Sequence, residues 1–185
     1  MKRLFGAVLV AMLVAVAAVQ AAAPVGVDPE MSKITATMRQ MGVPVEGRFK
    51  QLSGTVLFDA DDLAQSTARL VIDTTSFDIG MSDFNKEVAK PEWLDSKNHP
   101  EAVFEAQGLT ALGGDRYEVT GTLTLKGKTV EITTQLAVSR SDQGLSFSGE
   151  WPLKRQDFEI GGSGWEGVVD ETVLVRFTLF QPTSP

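Results

Sequence analysis

Apolar and polar residues alternate with a period of two along most of the chain from Lys33 onward. In residues 117–125, Tyr117, Val119 and Leu123 alternate with glutamate and threonine, and residues 173–179 repeat the pattern. Strict alternation gives a strand one apolar and one polar face, whereas strands buried in parallel sheets are apolar throughout. The sequence therefore predicts an antiparallel, all-β fold.

Turn-forming residues separate these runs at short, regular intervals. They include Gly113-Gly114-Asp115, Lys126-Gly127-Lys128 and Asp142-Gln143-Gly144. Short strands divided in this way are typical of either a sandwich or a closed barrel, and the pattern alone fits both. No internal repeat or interdomain linker interrupts them, so we expect one domain.

One segment, between Asp73 and Pro100, lacks the alternation. Ser82 is a candidate cap for a short helix, with Phe84 and Val88 on one face, and Pro91 would end it. The insertion has two interpretations: a lid over one end of a barrel, or a connector that plugs the barrel with Trp93 in the core.

The N-terminus has the pattern of a signal peptide. Lys2 and Arg3 precede an apolar run at residues 4–19, and residues 20–23 offer small-residue cleavage sites. We therefore expect residues 1–23 to be removed and residues 24–185 to form the mature domain. The chain contains no cysteine, so it lacks the lipobox cysteine of a lipoprotein, and a periplasmic location is expected.

Charge and composition argue against several function classes. The formal net charge is −7, and loss of Lys2 and Arg3 makes it more negative. Such a surface is unsuited to nucleic acid or to anionic lipid head groups. A single histidine, His99, without cysteine cannot form a typical zinc site, and no Gly-x-Ser-x-Gly motif surrounds Ser96. We expect no enzyme activity, no metal and no cofactor.

The apolar faces of the predicted strands carry many bulky side chains. They either fill the barrel or line a cavity that holds a ligand, and periodicity does not distinguish these cases. The candidate lining residues are Met38, Phe49, Phe58, Phe104, Tyr117, Val119, Leu123, Phe147, Trp151 and Phe177.

Arg155 and Asp157 form a polar pair beside a glycine-rich run at residues 161–164. One interpretation is an ion pair, of Arg155 with Asp157 or another carboxylate, that stabilises the fold. The other is a contact with a ligand head group at the mouth of the cavity.

Several stretches, taken together and in order, resemble the YceI family of bacterial secreted proteins. The motifs are residues 42–49 with their Val-x-Gly-x-Phe element, Thr75-Ser76-Phe77, residues 93–100 followed by Phe104, the 121–129 hairpin, and Arg155-x-Asp157-Phe158 ahead of residues 169–173. The resemblance covers essentially the whole mature chain.

The resemblance implies a single lipocalin-like antiparallel β-barrel of about eight strands with a short helical insertion. Family members bind polyisoprenoids, isoprenoid quinones or related amphiphiles, so the expected function is a periplasmic lipid carrier. The expected partner is a polyisoprenoid or another long-chain amphiphilic lipid. The alternative is a non-catalytic accessory or stress-related module with a solid barrel that binds a protein.

Overall fold

The computed structural model describes residues 23–183, in which one continuous antiparallel sheet contains eleven strands. The predicted signal peptide, residues 1–23, lies outside the described residues except for Ala23. The strands are β1 (Val25–Gly26), β2 (Asp28–Gln40), β3 (Val43–Phe49), β4 (Leu52–Leu57), β5 (Thr67–Asp73), β6 (Phe77–Asp78), β7 (Glu101–Gly113), β8 (Arg116–Leu125), β9 (Lys128–Ser141), β10 (Gly144–Lys154) and β11 (Thr172–Pro182).

Short interruptions divide three long strands, which explains the difference from the expected eight. Only Val27 separates β1 from β2, residues 50–51 separate β3 from β4, and a 3-10 turn at Thr74–Ser76 separates β5 from β6. These three composite strands and β7–β11 together make eight, each antiparallel to its neighbour. The predicted all-β antiparallel class is confirmed.

The sheet curls into a barrel because its first and last strands pair with each other. β11 pairs with β2, and β2 pairs on its other side with β3. Near the N-terminus, β1 pairs with β4 while Asp28 is opposite Phe180 of β11. The N-terminal strand therefore joins the two sides of the sheet.

Tight turns connect the strands where the sequence predicts them. Leu125 is opposite Lys128 across a two-residue turn in which Lys126 and Gly127 both have positive φ, 50° and 73°. Turns of this kind match the right-handed twist of a hairpin, and they favour glycine.

Two longer connections lie at the same end of the barrel, which we call the cap end. The first, residues 79–100, contains α1 (Ser82–Val88), and the second, residues 155–171, contains 3-10 turns at Arg155–Phe158 and Ser163–Trp165. Within residues 23–183, no helix is long and apolar enough to cross a bilayer.

The helix in the first connection forms as predicted, but its start differs. Met81 occupies the cap position and Ser82 is the first helical residue, with no side-chain cap. Val88 is buried, whereas Phe84 is 41% exposed. Trp93 and Leu94, which follow the helix, are buried in the core, as expected for a connector that plugs the barrel.

An ion pair and several hydrogen bonds around Asp78 attach α1 to the barrel wall. The Asp78 carboxylate contacts Lys50 Nζ at 2.6 Å and accepts hydrogen bonds from Asn85 Nδ2 at 2.7 Å and from the Gly80 amide at 2.9 Å. Asn85 Oδ1 accepts from the Ile79 amide. These contacts, with the Lys50 hydrogen bond foremost, hold the pKa of Asp78 well below its ordinary value.

We predict that Asp78→Asn lowers the free energy of unfolding at neutral pH. The pKa of Asp78 is lower in the folded state, so its contribution to stability is full above the ordinary pKa of 3.8 and declines as the pH falls below that value. Urea titrations across this range should therefore show the difference between variant and wild type narrowing on acidification. Asp83→Asn, at an exposed position of α1, is the control, and a pH-independent difference for Asp78→Asn would contradict the assignment.

Candidate functional site

The barrel interior contains an apolar cavity with a volume of about 240 Å³. Its wall combines inward-facing side chains of the strands with residues of both cap-end connections, including Val88, Trp93, Leu94 and Ile160. A single water molecule needs only about 10–15 Å³. The cavity is therefore large enough for a ligand, and its wall offers almost no polar partner to water.

Nine of the ten candidate lining residues contribute to the cavity wall. They are Met38, Phe49, Phe58, Phe104, Val119, Leu123, Phe147, Trp151 and Phe177. Several of these, among them Met38, Phe104 and Trp151, remain only partly buried although they face the interior of the barrel. Side chains that filled the barrel would have buried one another, so the interior is hollow.

Tyr117 is the exception. It is only 8% exposed, but it lies outside the cavity wall and packs its ring against the edge of Phe58, with the centroids 5.2 Å apart. Phe58 also contacts Phe147 at 5.5 Å, and the Arg140 guanidinium lies over the Phe58 ring. Tyr117 thus belongs to an aromatic cluster near the start of β8, at the end of the barrel opposite the cap.

Small residues on the inner face explain why the interior is hollow. Ala36 of β2 is opposite Gly47 of β3, and Ala106 of β7 is opposite Gly121 of β8. Ala68 of β5 also lines the cavity. The period of two that identifies the bulky inward-facing residues also places these alanines and glycines on the inner face.

The two cap-end connections contact each other across the end of the barrel. The rings of Trp93 and Trp165 meet edge to face, with centroids 5.1 Å apart, and the Gly161 amide donates to the carbonyl of Glu92 at 2.7 Å. The burial of Trp93 agrees with one of the two interpretations of the insertion, the connector that plugs the barrel. Trp165 has no alternating pattern around it, so sequence periodicity gave no signal for it.

The 126–128 turn is attached to the second connection through Glu159. Lys126 Nζ donates to the Glu159 carbonyl at 2.7 Å, and Lys128 Nζ contacts the Glu159 carboxylate at 2.7 Å. The Lys128 hydrogen bond lowers the pKa of Glu159. The β8–β9 hairpin is thereby held against residues 155–171.

Arg155 is almost completely buried, at 1% exposure, and its side chain contacts backbone carbonyls. Nε donates to the backbone carbonyl of Asp170 at 3.1 Å. Nη1 donates to the carbonyls of Ile160, at 2.9 Å, and Gly161, and Nη2 donates to the carbonyl of Val169 at 3.2 Å. A buried charge is tolerated only when its polar atoms are hydrogen-bonded. The guanidinium thus joins the start and the end of the second connection.

This geometry corrects the predicted pairing of Arg155 with Asp157. Within residues 23–183, no carboxylate lies within ion-pair distance of Arg155, and Asp157 is exposed and outside the cavity wall. Asp157 follows two residues later on a 3-10 turn, which directs it away from the buried Arg155. Arg155 itself borders the cavity, with its N–H groups directed at carbonyls.

His99 and Ser96 do not form a nucleophile–base pair. The Ser96 hydroxyl donates to the carbonyl of Thr74 at 3.2 Å, while His99 Nε2 is 3.8 Å from Asp95 Oδ2. A serine nucleophile requires a hydrogen bond to its base, and this hydroxyl is used to hold residues 93–100 against Thr74. Among residues 23–183, no group of three metal-ligating side chains converges.

Comparison with known proteins identifies the family. A family model described as a YceI-like domain matches residues 26–180, the whole of the barrel from its first strand to its last.

The chain belongs to the YceI family. It is 32% identical over 132 residues to a UPF0312 protein of Vibrio campbellii, covering 68% of this chain and 70% of the relative. It is 29% identical over 120 residues to protein YceI of Escherichia coli O157:H7, covering 62% of each. The YceI resemblance inferred from the sequence is confirmed.

Two solved structures share the barrel. Burkholderia cenocepacia BcnA superposes with a TM-score of 0.81 at 38% identity, covering 83% of this chain and 98% of BcnA. A polyisoprenoid binding domain from Saccharophagus degradans, implicated in plant cell wall breakdown, superposes with a TM-score of 0.70 at 25% identity, covering 86% and 98%.

We predict that Arg155→Met lowers the free energy of unfolding by about 3 kcal/mol or more, because it leaves buried carbonyls without donors. Asp157→Asn is the matched control and should change stability by less than about 0.5 kcal/mol, as exposed substitutions do. Urea denaturation followed by circular dichroism measures both. Equal destabilisation by the two variants would indicate an Arg155–Asp157 interaction and contradict this account.

Proposed function

We propose that this protein holds a polyisoprenoid, an isoprenoid quinone or a similar amphiphilic lipid inside its barrel and carries it without chemical change. The observation that carries the proposal is the apolar cavity of about 240 Å³ along the barrel interior. The similarity to a polyisoprenoid binding domain supports the same ligand class.

Burial of the hydrocarbon chain supplies the affinity in this proposal. Each buried CH₂ contributes about 0.8 kcal/mol, so one five-carbon unit contributes up to ~4 kcal/mol before the costs of association. A few isoprene units would hold the lipid without a strong head-group contact. Such a site recognises the chain more than the head group.

The proposed carrier acts in the periplasm and is not an enzyme. The signal-peptide pattern of residues 1–23 supports export. Ser96 is the candidate serine nucleophile and His99 is its candidate base. Because the Ser96 hydroxyl donates to the Thr74 carbonyl, it is not paired with that base, which supports a binding role.

The alternative of an accessory module with a solid barrel requires side chains that fill the interior. The partial burial of inward-facing Met38, Phe104 and Trp151 and the volume of the cavity argue against that packing.

We predict that Trp151→Glu weakens binding of a short-chain ubiquinone at least tenfold, because it places a carboxylate on the apolar cavity wall. The matched control is Ser148→Glu, which adds the same group to the exposed face of the same strand and should bind as wild type. Quinone retained after gel filtration, quantified by absorbance, measures binding, and circular dichroism verifies the fold.

Wild-type protein that retains no quinone and no added prenol would contradict the proposed function. Equal binding by folded Trp151→Glu and Ser148→Glu would place the ligand outside the cavity, which also contradicts it.

A further inference from the structure

Three glycines of the inner wall each lie beneath a phenylalanine ring of the neighbouring strand. A Cβ atom added to Gly47 would lie 2.4 Å from Phe77 Cζ, and one added to Gly149 would lie 2.7 Å from Phe177 Cζ. Real Cβ atoms essentially never approach another heavy atom so closely. Each ring therefore occupies the space that a side chain on the facing strand would otherwise take.

The third glycine, Gly121, has the same arrangement with Phe104, whose ring atoms would lie 2.8 Å from an added Cβ. Phe77, Phe104 and Phe177 all line the cavity. Because the neighbouring strand has a glycine at this point, each ring lies directly against that strand. A larger residue in place of the glycine would push the ring farther into the cavity.

We propose that these three glycine–phenylalanine pairs set the width of the cavity and restrict it to amphiphiles with a single slender apolar chain. This inference rests on the proposed function and deepens it, because it makes Gly47, Gly121 and Gly149 specificity-determining residues. Lipids with two acyl chains are excluded by width, whereas one prenyl chain fits along the wall formed by the rings.

Gly47 offers the cleanest test of the three. The three atoms nearest to its added Cβ all belong to the Phe77 ring, whereas at Gly121 and Gly149 the nearest atom is a backbone oxygen, at 2.4 and 2.5 Å. Alanine at those two positions would disturb strand pairing as well as the ring. At Gly47 displacement of the Phe77 ring relieves the closest contacts, and that ring lines the cavity.

Gly108 is the matched control. It also lines the cavity, but an added Cβ there meets nothing within 4 Å, and its backbone is outside the left-handed region. Gly108 is exposed and lies opposite Thr120, beyond the register shift in β7, so Gly108→Ala adds the same methyl group to the barrel wall without moving a ring.

The experiment incubates wild type, Gly47→Ala, Gly108→Ala and the double variant Gly47→Ala/Phe77→Leu with mixed vesicles of phosphatidylcholine and a short-chain ubiquinone. Each protein is reisolated and its lipid extract is quantified by mass spectrometry. We expect wild type and Gly108→Ala to retain quinone and no phospholipid. Gly47→Ala should retain at least tenfold less quinone, and the double variant should recover it because leucine vacates the space above residue 47.

Folded Gly47→Ala that binds quinone as well as wild type would overturn the inference, as would stoichiometric phospholipid in the wild type. If Gly47→Ala does not fold, recovery of folding in the double variant supports the pairing, and failure to recover overturns it.

Absence of quinone from the wild type would instead overturn the proposed function. In that case crystal structures of wild type and Gly47→Ala test the inference on cavity width. A Phe77 ring that is displaced into a smaller cavity in Gly47→Ala supports the inference. A Phe77 ring in the same position in both proteins contradicts it.

Discussion

An eight-stranded barrel encloses little more space than its own inward-facing side chains need. Whether such a barrel is solid or hollow depends on the size of those residues. Here alanine and glycine face each other across strand pairs, as at Ala36 and Gly47 and at Ala106 and Gly121. The cavity, and every functional property that follows from it, depends on these small residues.

The cap end depends on a different interaction, the hydrogen bonding of Arg155. An irregular connection such as residues 155–171 leaves carbonyls without strand partners, and buried carbonyls need donors. One planar guanidinium supplies donors in several directions, which a lysine ammonium on a flexible stem does less well. Arg155 thus gives the cap a fixed geometry, and the apolar side chains nearby, such as Trp93, complete the cavity wall.

Much of this architecture could be predicted from the sequence because strand periodicity is a local signal. The alternation at residues 117–125 and the Lys126-Gly127 turn predict a hairpin that the structure confirms. Periodicity assigns a residue to a face but not to a height along the barrel, so it does not separate Tyr117, which packs against Phe58, from the residues of the cavity wall. It also carries no information on irregular segments, which is why the partners of Arg155 and the role of Trp165 required the three-dimensional structure.

The central claim is that the cavity carries a lipid, and native mass spectrometry of mature protein purified from the cells that make it tests this most directly. We predict one lipid with a single prenyl-type chain per protein, released on unfolding and identified in the extract. Protein that is repeatedly empty, and that stays empty after incubation with prenol and quinone, would contradict it.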